Sequence, residues 1–105
     1  MIDVIIFKNN ETIKAFEISG HADSGPYGYD LVCAAVSAIS FGSVNALMEI
    51  GNINPKIEQG DDGGYLYVEL PDESTSIQTI QTILKAMVVS LKTIEQEYHE
   101  FIQIQ

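Results

Sequence analysis

The sequence predicts an α+β fold: a mostly antiparallel sheet packed with two long helices, in the order ββαββα, as one domain over residues 1–105. Three observations carry this. Short apolar segments with two-residue alternation come in pairs, each pair joined by a polar turn. A long, almost uncharged stretch separates the pairs. Apolar residues spaced by three and four then fill the last third of the chain, the signature of an amphipathic helix.

Met1 to Phe7 reads as the first strand, and Asn9-Asn10-Glu11 as a turn, because Asn tolerates left-handed backbone angles. Thr12 to Ser19 is the returning strand, with Phe16 and Ile18 opposed to Glu17 and Ser19. Ala22 to Tyr29 reads as a loop, since it holds Gly25, Pro26 and Gly28. Asp30 is suited to cap a helix from about Leu31 to Ile50 that stops at Gly51. That helix has no charged side chain before Glu49, so it is expected to be buried nearly all round. Its small residues, Ala34, Ala35, Ala38, Gly42 and Ala46, allow close packing.

Ile53 to Glu58 and Tyr65 to Leu70 form a second hairpin around Gly60-Asp61-Asp62-Gly63-Gly64. Leu66, Val68 and Leu70 line one face of its second strand; Tyr65, Tyr67 and Glu69 line the other. After Pro71, with Asp72 or Ser74 as cap, a helix runs with the stripe Ile77, Ile80, Leu84, Met87, Val88, Leu91, Ile94, Tyr98 and Phe101. No repeat, linker or domain boundary interrupts the pattern.

The charge balance limits the partners. Fifteen acidic residues against five basic ones give a formal net charge of −10. Direct nucleic-acid binding through a basic face is thereby disfavoured, whereas a basic partner is attracted at long range. A single cysteine permits no intrachain disulfide, which fits a reducing compartment. The opening MIDVIIFKNNE has too short an apolar run for a secretory signal. Leu31 to Met48 is long enough to span a bilayer but carries Ser37, Ser40, Ser43 and Asn45, so a core helix is the better reading. The expectation is a cytoplasmic protein that neither enters a membrane nor binds nucleic acid directly.

The one cysteine is the focus of chemistry. With Asp30 as cap, Cys33 falls in the first helical turn, where free N–H groups and the helix dipole favour a thiolate. His21 ends a strand twelve residues earlier, and a histidine within reach activates a cysteine by forming an imidazolium–thiolate pair. Asp30, Cys33 and Ser37 share one helix face by their spacing of three and four. Asp30 can orient the imidazole or serve only as a cap. Ser37 can donate to an oxyanion or bond to its own helix. Tyr27 and Tyr29 can line a substrate groove or anchor the loop, and His99 is expected to be solvated. A buried structural cysteine is also compatible with these residues. A metal set of His21, Asp23, Asp30 and Cys33 has fewer Cys and His ligands, more widely spaced, than structural zinc sites use. Neither metal nor organic cofactor is expected.

Gly20-His21-Ala22, then Gly28-Tyr29-Asp30, then Val32-Cys33-Ala34-Ala35-Val36-Ser37 closely resemble the ribosomal-processing cysteine protease Prp family. Length, element order and acidic character are similar as well, so the resemblance covers essentially the whole chain. It implies a cytoplasmic, homodimeric bacterial endopeptidase that removes the N-terminal extension of large-subunit ribosomal protein 27 after an aromatic residue. Carried onto this chain, Cys33 is the nucleophile, and His21 is the general base and then the acid. Gly20 is the pivot before a mobile loop over residues 22 to 29, where substrate binding is expected; Asp30 and Ser37 match positions of supporting role. The chemistry expected is acyl transfer through Cys33, with helix-start N–H groups holding the oxyanion. The alternatives are an acidic, non-enzymatic escort of a basic ribosomal protein, and a thiol redox switch without a resolving cysteine.

Overall fold

The computed structural model describes residues 1–20, 26–60, 64–72 and 77–105, with the backbone alone for residues 26–30. Strands β1 (Ile2–Asn9) and β2 (Thr12–Ser19) pair as an antiparallel hairpin. Asn10 takes a φ of 59° at the turn, the left-handed conformation expected of it. The register slips by one residue between Phe7 and Lys8, which face Ala15 and Ile13. This bulge lets Ile13 and Phe16, three apart in sequence, both enter the core.

Helix α1 (Pro26–Glu49) follows, then β3 (Lys56–Gln59), β4 (Tyr65–Glu69) and α2 (Ile77–Tyr98). A fifth strand, β5 (Ile102–Ile104), closes the chain. The sheet order is β3-β4-β2-β1-β5, antiparallel throughout except that β5 runs parallel to β1. Both helices lie on one face and share a core with it: Val32, Val36, Val44 and Leu47 from α1, Ile80, Leu84, Met87 and Leu91 from α2, and Val4, Phe16, Ile18 and Val68 from the sheet. Leu66 and Val68 point inward and Tyr65, Tyr67 and Glu69 outward, as their alternation predicts.

The structure corrects several expectations. β3 begins at Lys56 instead of Ile53. The last helix ends at Tyr98, and the apolar residues after it form β5, too short to register as a strand in sequence. His99, exposed, stands in the turn between them. At the end of α1 it is Asn52, with φ 55°, that takes the left-handed turn. Gly51 is required for another reason: a Cβ there would lie 2.6 Å from the Leu47 carbonyl oxygen.

Helix α1 differs most. It starts at Pro26, a residue preorganised for the first helical position because it needs no N–H partner there. Gly28 is therefore inside a helix, at a cost of about 1 kcal/mol relative to alanine, and residues 26–29 are not loop. Nor is α1 buried all round. One stripe, Val32, Val36, Ser40, Val44 and Leu47, faces the core, whereas Leu31 is 56% and Phe41 42% exposed on the other side. Leu31–Glu49 is long and apolar enough to cross a membrane by length and composition, with 28% of that window buried in the fold.

Candidate active site

Cys33 is the eighth residue of α1, not part of its first turn. Only the first four N–H groups of a helix lack internal partners, so those around Cys33 are used within the helix. The expected anion-holding role of the helix start is thereby removed from this cysteine. Asp30 lies within the helix as its fifth residue, so it is not the cap. The loop expected over Ala22 to Tyr29 is helical from Pro26 on; His21, Ala22 and Asp23 lie outside the described residues.

Cys33 is partly exposed, at the border of the buried stripe of α1, and packs against the core. It opens into a cavity of about 350 Å³ between α1 and the ends of β2, β3 and β4. Val36, Ser37, Ser40 and Phe41 continue the helical wall, Ile18 and Gly20 form the β2 wall, and Gln59, Gly60, Gly64 and Tyr65 form the hairpin wall. Cys33 and Ser37, four apart, thus line the same space, as their spacing predicts.

The serines along this wall are not equivalent. Ser40 Oγ donates to the Val36 carbonyl at 2.8 Å, and Ser43 Oγ to the Ile39 carbonyl at 2.6 Å. These hydroxyls are satisfied by their own helix. Ser37 is exposed, and among the described residues its hydroxyl has no such bond. It is the one free to meet a ligand in the cavity.

Gly20 joins the two strands that frame the site. Its N–H donates to the Gly64 carbonyl at 2.9 Å, which extends the pairing of β2 with β4 by one step. Its φ is +94°, and a Cβ there would collide with the Met1 carbonyl oxygen. Only glycine meets both demands. The next residue in the sequence is His21. Gly60 N–H donates to the Tyr65 carbonyl at 3.0 Å and closes the base of the facing turn.

Tyr65 also lines the cavity, and its hydroxyl donates to Glu17 Oε2 at 2.8 Å. That bond to a carboxylate, with burial and the charges of Glu17 and Glu58, holds the phenol pKa above its ordinary value. Tyr65, Gln59 and Phe41 carry no sequence signal for this role, because only the sheet order brings the second hairpin beside β2. Among the described residues no cluster of His, Cys, Asp and Glu fits a metal ion.

Known proteins match this fold and chain over nearly their whole lengths. The family described as cysteine protease Prp matches residues 1–103. The ribosomal processing cysteine protease Prp of Bacillus subtilis is 38% identical over 107 residues, covering 99% of this chain and 96% of that protein. The crystal structure of the essential ribosomal processing protease Prp from S. aureus, with a covalently linked product peptide, superposes with a TM-score of 0.89 at 42% identity. It covers 100% of this chain and 98% of that one. The same protease with a substrate peptide gives a TM-score of 0.88, with the same identity and coverage.

Proposed function

The chain belongs to the cysteine protease Prp family and is a cysteine protease; we propose that it removes the N-terminal extension of large-subunit ribosomal protein 27, cutting after an aromatic residue through a Cys33–His21 dyad. The observation that carries this reading is that Cys33 lines one cavity with Gly20, the residue immediately before His21 in the sequence. Cys33 is the only cysteine, and His21, which follows Gly20 in the sequence, is the only histidine in the first 98 residues.

In the proposed reaction the Cys33 thiolate attacks the scissile carbonyl and a C–S bond forms. His21 protonates the amine as the C–N bond breaks. A water that gives its proton to His21 then attacks the thioester and releases the acid and the free thiol. Ser37 takes the place of the helix-start N–H groups as donor to the oxyanion, since it lies one turn along the same wall. The product peptide covalently linked to the S. aureus relative supports a covalent intermediate. Ile18, Val36, Phe41 and Leu66 give the cavity apolar walls suited to the aromatic side chain before the cut. At a net charge of −10, the protease attracts a basic ribosomal precursor before contact.

The proposed enzyme is a cytoplasmic homodimer that needs no cofactor. The open face of α1 supports the dimer: Leu31, Ala34, Ala38, Phe41, Asn45 and Met48 repeat at alternating steps of three and four. That is a heptad seam, and a lone Asn in such a seam sets register and partner number. Beside it, Gly42 has nothing within 4 Å of a Cβ position, which leaves room for a close helix approach.

The deciding experiment is incubation with a peptide spanning the N-terminal extension of the organism's own protein 27, read by mass spectrometry. One cut after an aromatic residue, absent with Cys33→Ala and with His21→Ala, is the expected result. An intact peptide that nonetheless binds would overturn the protease assignment of substrate in favour of an escort.

A further inference from the structure

A second cavity, of about 500 Å³, opens on the opposite side of the fold, between α2 and the β1–β5 edge of the sheet. Its floor is aliphatic: Ile6, Ile13, Ile104 and Val88 all line it. Its other feature is charge. The chain has five basic residues, all lysines, and three of them, Lys8, Lys85 and Lys92, surround this one cavity. A single carboxylate side chain, Glu11, lines it with them. Among the described residues none of the three lysines is in a salt bridge; the ion pair present is Lys56 with Glu58, elsewhere. The nearby Glu95 is engaged otherwise, accepting the Ile104 N–H at 2.9 Å.

On a surface of net charge −10, unpaired cations gathered around an apolar hollow form a local reversal of sign. At physiological salt, charges more than about 8 Å away are screened, so the rim lysines dominate what the cavity meets. Lysine presents a compact point charge on a flexible stem with three rotatable donors, so several lysines can gather around one small anionic head. The volume matches sites for small organic ligands, roughly 300–1,000 Å³. The lining lacks aromatic rings, consistent with an aliphatic body.

We propose that this cavity binds an aliphatic carboxylate of medium chain length, with the chain over Ile6, Val88 and Ile104 and the carboxylate among Lys8, Lys85 and Lys92. The site is separate from the Cys33 cavity and does not depend on the protease reading. Each further methylene that enters the cavity is expected to tighten binding about fourfold, by the free energy of burying one such group.

The test titrates the full chain with octanoate and decanoate, below the concentrations at which they self-associate, while backbone amides are followed by NMR. Saturable shifts confined to residues 85–92, 104–105 and Lys8, about fifteenfold tighter for decanoate because it adds two methylenes, are expected. Decanol, with the same body and no charge, should bind at least tenfold more weakly, as should decanoate to Lys85→Gln/Lys92→Gln. Val89→Glu, at a position 64% exposed and therefore tolerant of a charge, should abolish binding without altering the melting temperature. Equal affinity for decanol, unchanged affinity in the double variant, shifts centred on α1 or on Cys33, or no saturable shift would each overturn the proposal.

Discussion

The side-chain amide of Gln81 grips the backbone of Ile13 with both ends: Oε1 accepts the Ile13 N–H and Nε2 donates to the Ile13 carbonyl, each at 2.8 Å. Ile13 lies on β2 beyond the last residue paired with β4, where Leu70 N–H still reaches the Lys14 carbonyl. Gln81 thus does for β2 what a further residue of β4 would have done. It joins the second helix to the central hairpin by a pair of bonds at the edge of the core.

Gln81→Leu removes both bonds at once and leaves two backbone groups unsatisfied in a partly buried place. A loss of roughly 2–3 kcal/mol is expected, from about 1–1.5 kcal/mol for each bond. A domain of this size should then melt about 10 °C or more lower. Thermal unfolding by circular dichroism measures this; an unchanged melting temperature would mean that water replaces the amide fully.

Cys33→Ser and His21→Ala should each reduce cleavage of the ribosomal extension by roughly 10⁴-fold or more, as removal of a nucleophile or its base does. Their melting temperatures should stay near that of the parent chain, because Cys33 is partly exposed. Ser37→Ala should lower kcat by about a hundredfold or more with a small change in KM, the mark of an oxyanion donor. Equal kcat values for Ser37→Ala and the parent would return the oxyanion role to backbone groups.

Gly20→Ala meets two obstacles, a positive φ and the Met1 carbonyl oxygen. The conformational part alone costs about 1–2 kcal/mol. Because the strain falls on the residue before His21, activity should drop more than stability does. Comparing kcat/KM with the melting temperature separates the two, and a large loss of stability with normal kcat/KM would contradict the positioning role.

Phe41→Glu places a charge on the open seam of α1, where Phe41 is 42% exposed. In sedimentation, the parent chain is expected as a dimer and this variant as a folded monomer. A parent chain that sediments as a monomer at all accessible concentrations would rule the seam out.

Tyr67 donates to Glu69 Oε1 at 2.7 Å, and this bond, with burial and nearby carboxylate charge, pushes its pKa up to about 12. A pKa raised above its unfolded value of 10.0 means that the folded state holds this proton more firmly. The associated stability is present below pH 10 and is lost as pH rises toward 12. In an alkaline titration of phenolate absorbance, Glu69→Gln should move one tyrosine to a lower midpoint.

Much of this was legible in the chain. Strict alternation identified the faces of β4, and Asn10 announced its own turn, because both are local backbone properties. That Cys33 and Ser37 share one helix face followed from their spacing alone. The helix start could not: Pro26 terminates a loop or opens a helix with equal local ease, and the choice moved Cys33 from the first turn to the third. β5 was illegible for a related reason, since three residues acquire strand geometry only by pairing with β1.

The sequence by itself determined the order of the first six elements, the acidic surface and the single thiol, all of which follow from short-range patterning and composition. Tertiary structure alone decided which walls the thiol faces. It set the second hairpin beside β2, so that Gly60, Gly64 and Tyr65 enclose Cys33. It also brought Lys8 of β1 beside Lys85 and Lys92 of α2 around one hollow, and left half of a nearly uncharged helix open. Such outcomes depend on strand order and helix rotation, which a sheet and its covering helices settle together by burying the most apolar surface, and no local segment encodes them alone.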